Sequence, residues 1–230
     1  MLSTKNVTTG GGSGATSKTL APGNVVAKIN SITLEDFKFK PGAVHMILHI
    51  EGNEMGGDFE GFFIDKENPE AGRYKGQVGR VRTSEYAYSD GETKTGLQIS
   101  RDAEILKMIK NICTTVHASK WFDDQDEKHA NIEEFVEAFS KDAPFKDHWF
   151  EFCLCAKEYT TKAGYTNYDL YLPKFSKGGV PFELADEATG KMIQFDPAIH
   201  IKKIEAKAVE NFGDDAEPTV SKTVAKDFEL

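Results

Sequence analysis

The sequence predicts a mainly β fold with helical insertions (α+β), specifically a five-stranded Greek-key barrel of the OB type. Three β-patterned segments precede a helical region near the middle of the chain, and a further pair of β segments follows it. A helix between the third and fourth strands is typical of an OB barrel. An ordinary β-sandwich is the alternative, and the position of the helices favours the barrel.

The first three predicted strands lie between residues 24 and 64. Val25 to Phe39 predicts a long, bent strand that ends at the turn residues Pro41 and Gly42. Apolar residues alternate along 44–50, which predicts a second strand with one buried face. A glycine-rich connection leads to a third predicted strand at 59–64, and a further strand is predicted over 81–88.

Two helices are predicted next. Ser100 is a favourable N-cap, and the helix after it carries an apolar side formed by Ile105, Ile109, Ile112, Cys113 and Val116. A second helix begins at Asn131 and ends before Pro144, with Ile132, Phe135, Val136 and Phe139 at helical spacing.

A closing hairpin follows the helices. Residues 149–156 are almost entirely apolar, as in a central strand that is buried on both faces. Residues 165–172 alternate, with Tyr168, Leu170 and Leu172 on the apolar side and Tyr171 on the polar side. An edge strand is expected within 191–203.

Composition divides the chain into three parts. Residues 1–23 form a flexible leader rich in Gly, Ser and Thr, residues 24–204 form the OB domain, and residues 205–230 form a disordered acidic tail. The tail carries seven acids against three lysines, a large share of the net charge of −9. No apolar run is long enough to span a membrane and no signal peptide is evident, so we expect a cytoplasmic protein without a membrane partner.

The chain contains three cysteines, Cys113, Cys153 and Cys155. We expect strand alternation to send Cys153 and Cys155 to opposite faces, and an odd count argues against a disulfide framework. A structural zinc site needs four convergent ligands, and no histidine follows at finger spacing. We therefore expect core cysteines, with no metal and no cofactor.

Cations and aromatic residues occur together in two segments. Gly72–Arg82 interleaves four cations with a tyrosine and glycines, and the final hairpin places lysines among tyrosines. OB folds bind single strands through a basic groove and through rings on which bases stack. The candidate nucleic-acid-binding residues are Arg73, Tyr74, Lys75, Arg80, Arg82, Tyr86, Tyr88, Lys157, Tyr159, Lys162, Tyr165 and Tyr171. A solvated basic loop with ordinary turns is the alternative.

The acidic tail is a candidate partner-binding segment. Asp214, Asp215, Asp227 and Phe228 offer charge and an apolar side chain to another protein, and the charge can compete with DNA for a basic groove. A merely solubilising extension is the alternative.

Three segments, 55–63, 72–82 and 164–170, resemble single-stranded DNA-binding proteins of tailed phages, especially the replication proteins of crAss-like phages. The resemblance covers residues 23 to 182. It implies coating of single-stranded replication intermediates in the cytoplasm of an infected host cell, and recruitment of replication proteins by the tail. Bacterial relatives end in an acidic run and Pro-Phe, whereas this chain ends in Phe228-Glu229-Leu230.

Two other functions remain as alternatives, although we expect no enzyme and no catalytic residue. A metal-dependent nuclease could use Asp196 with Glu205-Ala206-Lys207, in which the carboxylates would hold Mg²⁺. A protein–protein scaffold could also use an OB-like barrel, because fold does not determine function.

Overall fold

The computed structural model describes residues 20–52, 77–161, 164, 166–176, 179–187 and 189–204. Its strands are β1 (Gly23–Asp36), β2 (Val44–Gly52), β3 (Val78–Arg82), β4 (Gly91–Glu92), β5 (Gln98–Ile99), β6 (Phe150–Thr160), β7 (Thr166–Tyr171), β8 (Phe182–Leu184) and β9 (Ile201–Lys203). Its helices are α1 (Arg101–Thr115), α2 (Ser119–Asp123), α3 (Ile132–Asp142) and α4 (Pro197–His200).

Five of these strands close into a barrel. β1 and β2, β2 and β3, β7 and β6, and β6 and β1 pair antiparallel, whereas β3 and β7 run parallel. The strand order is therefore β1-β2-β3-β7-β6 and back to β1. A closed, mixed barrel of five strands with helices inserted before its fourth strand is consistent with the OB type. The predicted fold class is confirmed.

Strand β1 pairs with two neighbouring strands because it bends. Residues 23–27 pair with β6, and residues 27–36 pair with β2. The register with β2 shifts between Ile29 and Ser31, as at a β-bulge, which bends and twists a strand. Ile29 before the shift and Ile32 after it are both buried. The bulge therefore keeps apolar side chains inside the barrel while the strand curves.

The helical insertion extends the core beyond the barrel. The hydroxyl of Ser100 accepts a hydrogen bond from the N–H of Ala103 at 3.3 Å and begins α1. The side chain of Asn131 accepts one from the N–H of Glu134 at 2.8 Å and begins α3. All the apolar residues predicted for the two helices are buried, so both predicted helices are confirmed. Within the described parts of the chain, no helix has the length and hydropathy needed to cross a membrane.

The third barrel strand lies later in the chain than predicted. It is β3, whereas the strand predicted at 59–64 lies outside the described residues. The strand predicted over 81–88 ends at Arg82, and Tyr88 makes only an isolated bridge with Val44. Glycine at position 79 allows close packing, because a Cβ there would lie 3.1 Å from Cδ1 of Leu20. Residues 78–80 of β3 belong to the cation-rich segment 72–82, in which no strand was predicted before residue 81.

The domain boundary at residue 24 also needs correction. Leu20 and Ala21 are each 1% exposed, and the N–H of Leu20 donates to the carbonyl of Val78 at 2.9 Å. Residues 20–23 therefore belong to the fold, because their apolar side chains are buried and the backbone of Leu20 is hydrogen-bonded to β3. At the other end, only Ile201–Lys203 of the predicted edge segment forms a strand, after the short helix α4.

Candidate nucleic-acid interface

Alternation along the barrel strands separates inward from outward side chains. Val81, Ala156 and Leu170 belong to the core, so their sequence neighbours point outwards. Strand register then places the outward residues beside one another across β2, β3, β7 and β6. We call this set the outer face: His49, Arg80, Arg82, Lys157, Tyr159, Asn167, Asp169 and Tyr171. It brings together five of the residues predicted to bind nucleic acid.

Arg80 is the exposed arginine of the outer face. Its side chain is 63% exposed, and its Nη2 donates to both carboxylate oxygens of Glu35 at 2.5 and 2.6 Å. His49 lies opposite Arg80 in β2, and burial, followed by the charge of Arg80, lowers the pKa of His49. Exposed ion pairs contribute only about 0–1 kcal/mol. A phosphate group can therefore replace Glu35 as the partner of Arg80 at little cost.

Arg82 lies on the outer face but is buried, with 6% exposure. Its Nη2 donates to Oδ2 of Asp169 at 2.5 Å. Because Asp169 belongs to β7, this ion pair joins the two parallel strands of the barrel. The predicted contact between Arg82 and nucleic acid is therefore corrected to a structural ion pair. A buried guanidinium cannot reach a phosphate without leaving its carboxylate.

Among the predicted residues that the structure describes, Tyr86 and Lys157 bring an exposed ring and a cation together. The Tyr86 residue is 61% exposed, and Nζ of Lys157 lies 5.6 Å from the centroid of its ring. Burial, followed by the charge of Arg82, lowers the pKa of Lys157. Lys202 of β9 lies next to Lys157 in register, and its Nζ is 2.6 Å from Oε2 of Glu85. The edge between β6 and β9 therefore carries an exposed ring beside lysines.

Tyr159 occupies the far end of the outer face. It is half-buried, and its hydroxyl accepts a hydrogen bond from Nδ2 of Asn167 at 2.9 Å. Burial, followed by the charge of Asp169, raises the pKa of Tyr159. The hydroxyl therefore keeps its proton and remains able to donate a hydrogen bond to a ligand.

Two of the predicted stacking rings are not exposed. Tyr171 is on the polar side of β7, as predicted, but it is only 4% exposed, and burial raises the pKa of its hydroxyl. Tyr88 packs against the core, and burial raises its pKa to about 12 while its hydroxyl contacts that of Thr83 at 2.9 Å. The predicted stacking role of Tyr171 is wrong, because the residue is buried. Tyr88 is partly buried, and its stacking role stays a prediction.

Other predicted site residues lie outside the described parts of the chain. These are Arg73, Tyr74, Lys75, Lys162, Tyr165, Asp214, Asp215, Asp227 and Phe228. Of the nuclease alternative, only Asp196 is described. Its side chain accepts a hydrogen bond from the N–H of Ala198 at 2.9 Å and begins α4.

The acids that accompany the cations were not predicted from the sequence. Glu35, Asp169 and Glu85 each bind a different cation of the outer face or its edge. Asp169 could have been found, since it alternates with Leu170 on the polar side of its strand. The pairing of each acid with its cation could not have been found, because the partners lie 45, 87 and 117 positions apart along the chain.

The expectation for Cys153 and Cys155 was wrong. Residues two apart in a strand point to the same face, and the two cysteine Sγ atoms lie within 4.8 Å of each other. A nitrogen of His200 lies within the same distance of both sulfurs. Cys113, by contrast, is buried in the core on α1.

The outer face and its edge carry groups that can contact a ligand: the exposed ring of Tyr86, the exposed guanidinium of Arg80, and the hydroxyl of Tyr159 beside the amide of Asn167. Comparisons with protein-family models, curated proteins and solved structures find no match for this chain. The function therefore has to be inferred from these side chains.

Proposed function

We propose that this protein binds single-stranded DNA through the outer face, largely without sequence preference, and protects it during replication or recombination. One observation carries the proposal: an OB-type barrel gathers Arg80, Lys157, Tyr159 and the neighbouring Tyr86 at one surface. OB folds bind single strands by combining cations that follow the backbone with rings that stack on bases.

The paired charges indicate how binding would proceed. Within the described residues, the cations of the outer face and its edge are nearly balanced by Glu35, Asp169 and Glu85. A strand would displace Glu35 from Arg80 and stack a base on Tyr86, while the Arg82–Asp169 pair stays in place. Stacking contributes about 1–3 kcal/mol per base, more than an exposed ion pair costs to break. We therefore propose that stacking supplies much of the affinity at this surface.

The acidic tail completes the proposal. As in the phage proteins that three segments of the sequence resemble, it would recruit replication proteins. Its acids, among them Asp214 and Asp215, suit a partner with a basic pocket. Binding of DNA and recruitment of partners would then use separate parts of the chain.

Fluorescence titration with oligo-dT tests the DNA-binding surface. Tyr86→Ala is expected to weaken binding by about 1–3 kcal/mol, because a base loses its stacking ring. Lys157→Ala is expected to weaken binding and to reduce its salt dependence, because one phosphate contact is lost. Phe175→Ala and Lys120→Ala are the matched controls. Phe175 packs beside Phe182 at the β6–β8 edge, and Lys120 lies on α2.

The outcomes separate the alternatives. Loss of affinity in the Tyr86 and Lys157 variants alone supports the proposal. Equal affinity in all four variants would remove the outer face as the binding surface. A chain that does not bind oligo-dT at any salt concentration would favour the scaffold, and cleavage of the oligonucleotide with Mg²⁺ would favour the nuclease.

A further inference from the structure

Three side chains with metal-ligating atoms converge on the outward side of β6. The Sγ atoms of Cys153 and Cys155 and one ring nitrogen of His200 all lie within 4.8 Å of one another. Both cysteines are buried, and His200 of α4 is half-buried. No metal was expected from the sequence, because no histidine follows the cysteines at finger spacing. The fold supplies one from a distant part of the chain.

A disulfide does not suit this pair of cysteines. Residues two apart in a strand are separated by about 6.6 Å along its axis, and their Cβ atoms point the same way. A disulfide needs Cβ atoms only about 3.5–4.5 Å apart. Two thiolates that share a metal do not have to approach each other as closely as the sulfurs of a disulfide. Tetrahedral Zn²⁺ with bonds of about 2.3 Å holds two sulfurs about 3.8 Å apart. Side-chain rotation can provide that change without moving the strand.

We propose that Cys153, Cys155 and His200 bind one Zn²⁺ ion, with water in the fourth position. Thiolate and imidazole are the ligands that zinc prefers, and two sulfurs with one nitrogen leave the shell open for water. Binding would release the thiol protons to solvent as the two sulfurs become thiolates. This inference does not depend on the DNA-binding proposal.

The imidazole is already oriented by its neighbours. Nδ1 of His200 accepts a hydrogen bond from the N–H of Asp196 at 2.8 Å, and the ring stacks on Phe195 with centroids 5.6 Å apart. Nδ1 therefore carries a lone pair. Zinc bound at Nδ1 would replace the bond from Asp196, and zinc bound at Nε2 would place the imidazole proton on Nδ1, so that either ring nitrogen as ligand breaks this bond. The amide of Asp196 then becomes a reporter of zinc binding that does not depend on any activity.

The ion would fasten α4 to the barrel. His200 directly precedes β9, and β9 pairs with β6 at residues 156–158, one residue beyond Cys155. Zinc would thus join the last described segment to the strand that carries both cysteines. Its loss should loosen β9 without unfolding the barrel, because the core of β6 lies on the opposite side of the strand.

Cobalt titration of the full chain tests this site. Under reducing conditions and after removal of metal by a chelator, Co²⁺ is expected to give tetrahedral d–d bands and thiolate charge-transfer absorption that saturate at one equivalent. Zn²⁺ should displace it and should shift the amide resonance of Asp196. Cys155→Ser and His200→Gln should each weaken binding at least about tenfold, as even outer-shell changes can. Cys113→Ala and His129→Gln are the thiol and imidazole controls.

Each result supports or overturns the site. The proposal is overturned if the wild-type chain gives no cobalt spectrum, or if His200→Gln binds as tightly as the His129 control. Should Cys155→Ser fail to fold by circular dichroism, His200→Gln decides, because His200 is half-buried in the short helix α4. Zinc should also raise the melting temperature of the wild-type chain but not that of His200→Gln.

Discussion

At the residue scale, β3 carries two arginines whose acidic partners should contribute very differently to stability. The Arg82 side chain is 8% exposed and paired with Asp169, whereas the Arg80 side chain is 63% exposed and paired with Glu35. We expect Asp169→Ala to lower the free energy of unfolding by about 3 kcal/mol, because it leaves a buried guanidinium without its carboxylate. Glu35→Ala should lower it by less than about 1 kcal/mol. Urea denaturation measures both values.

A double variant provides the control for this prediction. Replacing Arg82 by Met together with Asp169 by Leu removes both charges, so most of the loss should be recovered. Equal losses in Asp169→Ala and Glu35→Ala would contradict the distinction between the two ion pairs. The same result would reopen a direct role for Arg82 in binding phosphate.

The burial of Tyr171 could not be predicted from the alternation pattern of its own strand. Alternation correctly placed Tyr171 opposite Leu170, but a polar position is not always an exposed one. Burial is the largest cause that raises the pKa of the Tyr171 hydroxyl, and the nearby Glu85, Cys155 and Tyr86 add to it. Those neighbours come from other elements, so no pattern within β7 could reveal them.

At the element scale, α3 depends on its N-terminal cap. Asn131 caps the N–H of Glu134, and the Glu134 carboxylate accepts from the N–H of Ala130 at 3.0 Å. Asn131→Ala is expected to lower the free energy of unfolding by about 1 kcal/mol, since one helix N–H loses its acceptor. Asn131→Ser should preserve most of the stability. Thermal and urea denaturation measure the difference, and equal destabilisation by both substitutions would argue against a capping role.

The elements also divide into those that local sequence predicts and those that it does not. Helices α1 and α3 were predicted with their caps because capping and helical spacing involve residues only a few positions apart. Strand β3 was missed because its five residues are stabilised by pairing with β2 and β7, which lie elsewhere in the chain. Helix α4 was missed, and the edge strand expected within 191–203 is limited to the three residues of β9, which pair with β6.

At the scale of the whole molecule, charge is unevenly distributed. The chain has a net charge of −9, and residues 205–230 contribute seven acids against three lysines. The N–H of Ile204 donates to the carbonyl of Glu158 at 2.9 Å. Ile204, the last described residue, therefore lies next to β6, beside the sequence neighbour of Lys157. We propose that the acidic segment that follows Ile204 in the sequence competes with DNA for the cations of the outer face.

We expect the affinity for DNA to depend on the position of the acidic residues and not only on the net charge. Asp214→Asn, Asp215→Asn and Asp227→Asn together should tighten oligo-dT binding at low salt, because fewer carboxylates compete for Arg80 and Lys157. The gain should shrink as salt rises, since the screening length falls from about 30 Å at 0.01 M to about 8 Å at 0.15 M. Asp126→Asn with Glu127→Gln and Glu137→Gln is the control, because it removes the same charge from exposed positions in the helical insertion. If the control tightens binding equally, total charge alone governs affinity, and direct competition by the tail is excluded.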